Sequence, residues 1–137
     1  MLAVLAASCV ITGAQPCFRP DNACTPGSYD PLPKAQVCVH KQRPTLPAAV
    51  KREVLARYGF MSWSGKTGEL DYRIPFFLGG ETKVSSLWPE TGPIPNRKDA
   101  LERYVRDRIC VKATMRVRTA VRIFLADWVT YSRRYGL

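Results

Sequence analysis

The chain has 137 residues, of which 46% are hydrophobic, so it can bury one modest core and its length excludes a large multidomain protein. Lys and Arg total 21 against 11 Asp and Glu, which gives a net charge of +10 and a pI near 9.7. This balance does not restrict the fold. It favours a polyanionic partner such as nucleic acid or anionic lipid, although charge that only keeps the protein soluble is an equal alternative.

Residues 1–14 form an uncharged apolar run that ends in small residues. The run has the length of a signal-peptide core and is too short to span a bilayer, which needs about 20 residues. We therefore predict a signal peptide cleaved near Ala14, a secreted or periplasmic protein, and no transmembrane segment in the mature chain. A lipoprotein modified at Cys9 is a less favoured alternative, because Ala6 fits poorly three places before a modified cysteine.

Five cysteines are present, and removal of the predicted signal peptide would take Cys9 and leave an even set. In a small exported domain such a set predicts two disulfides, with three connectivities open. The candidates are Cys17, Cys24, Cys38 and Cys110. The absence of a Cys-x-x-Cys pair argues against structural zinc, and the solitary His40 receives no role.

Residues 15–45 contain many prolines, so we predict an irregular arm stapled by cysteines, followed by a folded domain over 46–137. The first helix of that domain, capped by Thr45, places Val50, Val54 and Tyr58 on one stripe and ends before Gly59.

A hairpin and a second helix come next. Leu70–Ile74 suits a strand, Gly79-Gly80 suits a turn, and Val84–Trp88 suits a returning strand. Asn96 can cap a helix that buries Leu101, Val105 and Ile109 on one face. The fold class predicted is α+β: a small strand–strand–helix unit with additional packing helices and the irregular arm.

The segment Thr114–Arg134 predicts one amphipathic helix. Eleven Lys or Arg and four Asp or Glu follow from Arg97 onward, so the C-terminal part carries most of the net charge. Its cations suit nonspecific, salt-dependent phosphate contacts, and a solvated basic face is the alternative. The candidate nucleic-acid-binding residues are Arg97, Lys98, Arg103, Arg106, Arg116, Arg118 and Arg122.

A series of short motifs occurs in a fixed order between Cys24 and Tyr131. They are Cys24-Thr25-Pro26-Gly27, Val37-Cys38-Val39, Tyr58-Gly59, Ile74-Pro75, Leu78-Gly79-Gly80, Leu87-Trp88-Pro89-Glu90, Lys98-Asp99-Ala100-Leu101-Glu102 and Asp127-Trp128. In this order the chain resembles small exported bacterial HNH proteins of the His-Me finger nuclease class. That resemblance implies a ββα-metal unit, in which one divalent ion lies between a hairpin and a helix.

The chain departs from this family at two catalytic positions. The family's Asp-His pair corresponds to Asp71-Tyr72, and its Asn before Leu-Trp-Pro corresponds to Ser86. The resemblance implies that the aspartate binds metal, the histidine is the general base and the asparagine assists either one. Only Asp71 keeps its residue, so Mg²⁺ or another divalent ion is expected to bind weakly, with Glu69 on the same face if the strand is regular.

Three hypotheses follow. The first is a catalytically impaired HNH-like protein that binds nucleic acid nonspecifically. The second is an active divalent-metal nuclease that uses Asp71. The third is a disulfide-stapled structural or partner-binding module.

Overall fold

The computed structural model describes residues 9–137 and has the predicted α+β composition. A two-stranded antiparallel sheet packs with helices, and two short 3₁₀ turns lie in the connection between the strands. In chain order the elements are α1 (Lys34–Val37), α2 (Ala48–Arg57), β1 (Gly68–Tyr72), the 3₁₀ turns Phe76–Leu78 and Val84–Ser86, β2 (Leu87–Thr91), α3 (Arg97–Cys110), α4 (Val117–Leu125) and α5 (Trp128–Arg134).

The hairpin is the centre of the fold, and its register decides which side chains meet. Gly68 pairs with Thr91, Glu69 with Glu90, and Asp71 with Trp88. Both strands lie a few residues away from the predicted bounds, because Pro75 and a 3₁₀ turn take up the residues on either side of the connection. Side chains alternate between faces along β1, so Asp71 and Tyr72 point to opposite sides of the sheet.

Helix α3 matches its prediction closely. The Asn96 side chain accepts from the Asp99 N–H, and the Asp99 carboxylate accepts from the Asn96 N–H, so the helix begins with a capping box. Leu101, Val105 and Ile109 are fully buried and belong to the main core.

Helix α2 carries the expected stripe in a second, smaller cluster. Val54 is buried there against Tyr72 and Leu87 of the hairpin. The predicted N-cap is wrong, since the helix follows Pro47 and no side chain caps it.

The single C-terminal helix that the sequence predicts is two helices. The chain leaves helical geometry at Ala126, and Asp127 caps α5 by accepting from the N–H groups of Val129 and Thr130. The apolar stripe nevertheless continues across the break, because Phe124 and Trp128 are both buried in the main core. The apolar periodicity therefore predicts one helix, whereas the capping aspartate divides the segment into two.

The arm is irregular apart from α1, and its disulfides differ from the prediction. Cys9 pairs with Cys24, and Cys38 pairs with Cys110 of α3. Cys17 forms no disulfide within residues 9–137. The prediction was wrong about Cys17 because it removed Cys9 with the signal peptide. Two disulfides are compatible with an oxidising compartment outside the cytosol.

Part of the predicted signal peptide can be compared with the structure. Residues 1–8 of the predicted 1–14 lie outside the described residues. The Cys9 N–H donates to the Arg57 carbonyl at 2.9 Å, and Thr12 forms a β-bridge with Arg19. Cleavage near Ala14 would therefore remove one half of the Cys9–Cys24 disulfide.

The arm also contacts the hairpin connection directly. Asp30 N–H donates to the Gly79 carbonyl, and a Cβ at Gly79, whose φ is 105°, would lie 2.1 Å from the Asp30 oxygen. A side chain at this position would clash with the Asp30 carbonyl oxygen, so the position requires glycine. Within residues 9–137, no helix combines the length and apolarity that a membrane crossing requires.

Candidate functional site

The three catalytic positions implied by the resemblance are each engaged within the protein. Tyr72 is buried, and its hydroxyl lies 2.8 Å from Thr82 Oγ1. Ser86 is buried, and its hydroxyl donates to the Ser28 carbonyl at 2.6 Å. Asp71 forms an ion pair with Lys98, whose Nζ lies 2.7 Å from Asp71 Oδ2. The ligand pair that the resemblance implies, Asp71 with the Ser86 position, therefore does not fit a metal ion.

Lys98 is the largest correction to the predicted site. It was expected on a nucleic-acid-binding surface, yet its side chain is 1% exposed. Its ammonium donates to the Tyr72 carbonyl at 2.7 Å and to Glu102 Oε1 at 2.9 Å, besides the Asp71 pair. The position shares the buried stripe of α3, one turn before Leu101, and this explains its burial.

The charge state of Lys98 follows from these contacts. Burial alone disfavours an ammonium, but the carboxylates of Asp71 and Glu102 outweigh burial and raise the pKa of Lys98 above its ordinary value. The side chain is therefore a fixed cation.

Three carboxyl groups meet on the face of the hairpin that bears Asp71. We call Glu69, Asp71 and Glu90 the acidic cluster. One oxygen from each residue lies within 4.8 Å of the other two. Glu69 and Asp71 share a face because β1 is regular, as the sequence expectation required. Glu90 joins them because it pairs with Glu69 across the hairpin.

Burial and mutual repulsion raise the pKa values of the carboxyl groups in the acidic cluster. Burial raises the pKa of Glu69 to about 7, with further contributions from Asp71 and Asp99. Burial and the Asp71 charge raise the pKa of Glu90 to about 10. Burial also raises the pKa of Glu102, against the opposing effect of Lys98. In the absence of another cation, Glu90 therefore carries a proton at neutral pH.

An open cleft of about 280 Å³, which we call the central cleft, lies beside Asp71 and Tyr72. A neighbouring cleft of about 290 Å³ shares Arg43, Phe77, Glu102 and Arg106 with it and is also lined by Glu69. Cationic or imidazole side chains from a loop and from α3 line these two clefts. We call them the basic rim: His40, Lys41, Arg43, Arg103 and Arg106.

The basic rim includes residues that sequence reasoning missed. His40 and its loop line the central cleft because the Cys38–Cys110 disulfide ties that part of the arm to α3. Cys38, two residues before His40, was the only hint in the sequence that this loop is tied to another element. The sequence does not show which cysteine it pairs with. Glu90 was also missed, since its position depends on the hairpin register.

The cations predicted to form one nucleic-acid-binding surface lie in separate places on the structure. Arg103 and Arg106 belong to the basic rim, and the Arg106 guanidinium lies 4.8 Å from the centre of the Phe77 ring. Arg118 and Arg122 line a different cleft together with Lys34. Arg97 is half-buried and Arg116 is exposed, and neither lines the central cleft.

Comparisons with protein-family models, with curated proteins and with solved structures find no match to this chain.

Proposed function

We propose that this chain is an HNH-like protein that binds nucleic acid nonspecifically at the basic rim and has lost most of its capacity to cleave it. The observation that carries the proposal is the basic rim itself. Five cationic or imidazole side chains from two separate elements surround clefts that expose Phe77. The arginines suit phosphate oxygens, and phosphate contacts carry no sequence information, so the binding we propose is nonspecific.

The proposed loss of cleavage is supported by the position of the Tyr72 side chain. Tyr72 lies in the small core cluster with Val54 and Leu87, on the face opposite Asp71. Its hydroxyl is held by Thr82. General-base catalysis contributes about 10² to 10⁴ in rate, so a buried phenol in place of the imidazole removes most turnover.

The binding test compares the basic rim with a matched pair of arginines elsewhere. Fluorescence anisotropy with a labelled duplex of arbitrary sequence would be measured at several salt concentrations. Arg43→Ala with Arg106→Ala should weaken binding and reduce the salt slope by about 2, since each lost phosphate contact removes about 1. The control is Arg118→Ala with Arg122→Ala, which removes the same charge from the other cleft.

The results separate three functions. Equal losses in the two double variants would contradict the basic rim as the binding site and leave only diffuse charge attraction. A salt-independent or undetectable signal would favour the disulfide-stapled partner-binding module. Incubation of the oxidised protein with plasmid and Mg²⁺ or Mn²⁺ tests cleavage, and nicking that disappears in Asp71→Ala would overturn the impaired-enzyme proposal.

The active nuclease remains a second candidate because of one observation. His40 is the chain's single histidine, and it lines the same cleft as Asp71. An imidazole that enters from the arm offers a proton acceptor where Tyr72 does not. If plasmid nicking is found, His40→Ala should abolish it and Tyr72→Phe should not.

A further inference from the structure

A separate cleft lies between the arm and α4, and it shares no lining residue with the clefts of the basic rim. We call it the arm–helix cleft. Its volume of about 530 Å³ is within the range of about 300–1,000 Å³ that small-molecule sites occupy. Most of the side chains that a ligand would meet there are apolar. They are Tyr29, Pro31, Leu32, Val117, Val121 and Leu125.

The charged side chains that line the arm–helix cleft are all cations. They are Lys34, Arg118 and Arg122, and each is exposed. None of the three forms an ion pair within residues 9–137. Arg118 and Arg122 are one helical turn apart on α4, where like charges repel each other. The cleft therefore has a positive edge that the protein's own carboxylates do not compensate, and a bound anion would relieve the repulsion.

One face of α4 joins this positive edge to the apolar lining. Arg118 precedes Val121 by three residues, and Arg122 precedes Leu125 by the same spacing, so cations and apolar side chains lie side by side along the helix. Val121 is buried and Leu125 is half-buried, while both arginines are exposed. A ligand in the cleft would therefore contact apolar side chains with one part and guanidinium groups with another.

The backbone around the cleft favours an alkyl chain over a peptide. Peptides that bind in extended form gain affinity from main-chain hydrogen bonds. Pro31 and Pro33 have no N–H to donate. Beyond the first turn of α4, the N–H groups of the lining residues Val121, Arg122 and Leu125 bond within the helix. Apolar contact and charge remain as the means of recognition.

We propose that the arm–helix cleft binds a single-chain anionic amphiphile, an alkyl carboxylate whose chain lies on the apolar lining and whose head group is held by Arg118 and Arg122. A guanidinium group presents paired N–H donors that match the two oxygens of a carboxylate. Each CH₂ group that moves from water onto the apolar lining tightens binding by up to about fourfold. Charge and chain length therefore contribute separately to the affinity, and each can be varied alone.

The experiment is isothermal titration calorimetry of the oxidised full chain with octanoate, decanoate and dodecanoate, each below the concentration at which it forms micelles. We expect one ligand per chain, a negative heat-capacity change, and an affinity that rises about tenfold for every two CH₂ groups. Arg118→Gln with Arg122→Gln should weaken decanoate binding at least about tenfold, because the head group loses its cations. Val117→Trp fills part of the cleft, keeps the cations and should also weaken binding.

A matched control makes the result decisive. Lys51→Gln with Arg52→Gln removes the same charge from exposed positions of α2 and should leave decanoate binding unchanged. The proposal is overturned if decanoate does not bind at millimolar concentration, if affinity does not change with chain length, or if the two double variants lose affinity equally. Binding to vesicles of anionic phospholipid without binding to monomeric decanoate would also overturn it. No nucleic acid is present, so none of these results depends on the basic rim.

Discussion

Replacement of Lys98 by methionine is the sharpest test of how the centre of this fold is held together. Methionine is close to lysine in length and keeps an apolar stem beside Phe124, whose ring centre lies 5.2 Å from the ammonium. The change therefore removes three charge-assisted contacts while it preserves most of the volume. What remains is a buried carboxylate without its partner.

The structure indicates which partner bears the cost. The Glu102 side chain is 22% exposed and can regain water, whereas the Asp71 side chain is 5% exposed and cannot. Removal of one member of a buried ion pair costs about 3–5 kcal/mol, a large part of the roughly 5–15 kcal/mol that stabilises a domain. For a chain of this length we expect Tm to fall by about 10–20 °C.

The assay is denaturant unfolding followed by circular dichroism, in buffer with a chelator so that no bound ion contributes. Arg103→Met is the control, because it removes an exposed cation from the same helix and should change stability by less than about 0.5 kcal/mol. Adding Asp71→Asn to Lys98→Met should recover part of the loss, since it removes the orphaned charge. A loss below about 1 kcal/mol for Lys98→Met would refute this account of the ion pair.

Two further predictions concern the links between the arm and the helices. The Arg19 hydrogen bond lowers the pKa of Asp127 to about 2, below its unfolded value of 3.8. Its contribution is therefore present above that unfolded value and lost as pH falls through about 2. Asp127→Asn keeps the α5 cap but loses the ion pair with Arg19. It should lower the free energy of unfolding by only about 0.5–1 kcal/mol at neutral pH, because the Asp127 side chain is 46% exposed and solvent screens the pair. Urea titrations measure this difference, and a difference from wild type that is as large at pH 2 as at neutral pH would contradict the prediction. Replacing Cys38 and Cys110 together by serine should cost about 4 kcal/mol, because the disulfide closes a separation of 72 residues, and a loss no larger than that of Cys17→Ser would contradict it.

The helices and the hairpin were predictable because their signals are local. Leu101, Val105 and Ile109 repeat at helical spacing, and Asn96 with Asp99 forms a capping box that can be read from the sequence. The break at Asp127 was missed because the apolar stripe continues through it. The aspartate followed by Trp-Val-Thr is a local capping signal, and it decides the break although the periodicity continues.

The site was harder to predict because it is assembled by long-range pairing. Lys98 was assigned to the surface by its charge, although its place on the buried stripe of α3 was visible in the sequence. Glu90 enters the acidic cluster through the register of β1 with β2, and His40 reaches the central cleft through the Cys38–Cys110 disulfide. No spacing within one segment encodes either contact.

The charge balance of the hairpin bears directly on the choice between binding and cleavage. The acidic cluster and Glu102 together carry four carboxyl groups, and Lys98 supplies a single buried positive charge among them. Phosphate approaching over this surface is repelled unless protons or a cation neutralise the excess, and the basic rim must compensate what remains. The proposed binding of nucleic acid therefore needs only neutralisation of this charge, whereas cleavage would also need a base close to Asp71. Tyr72 is 2% exposed and its hydroxyl is hydrogen-bonded to Thr82, so it is not free to act as that base. Under the proposed function, any cleavage would depend on a residue that enters from outside the hairpin, as His40 does.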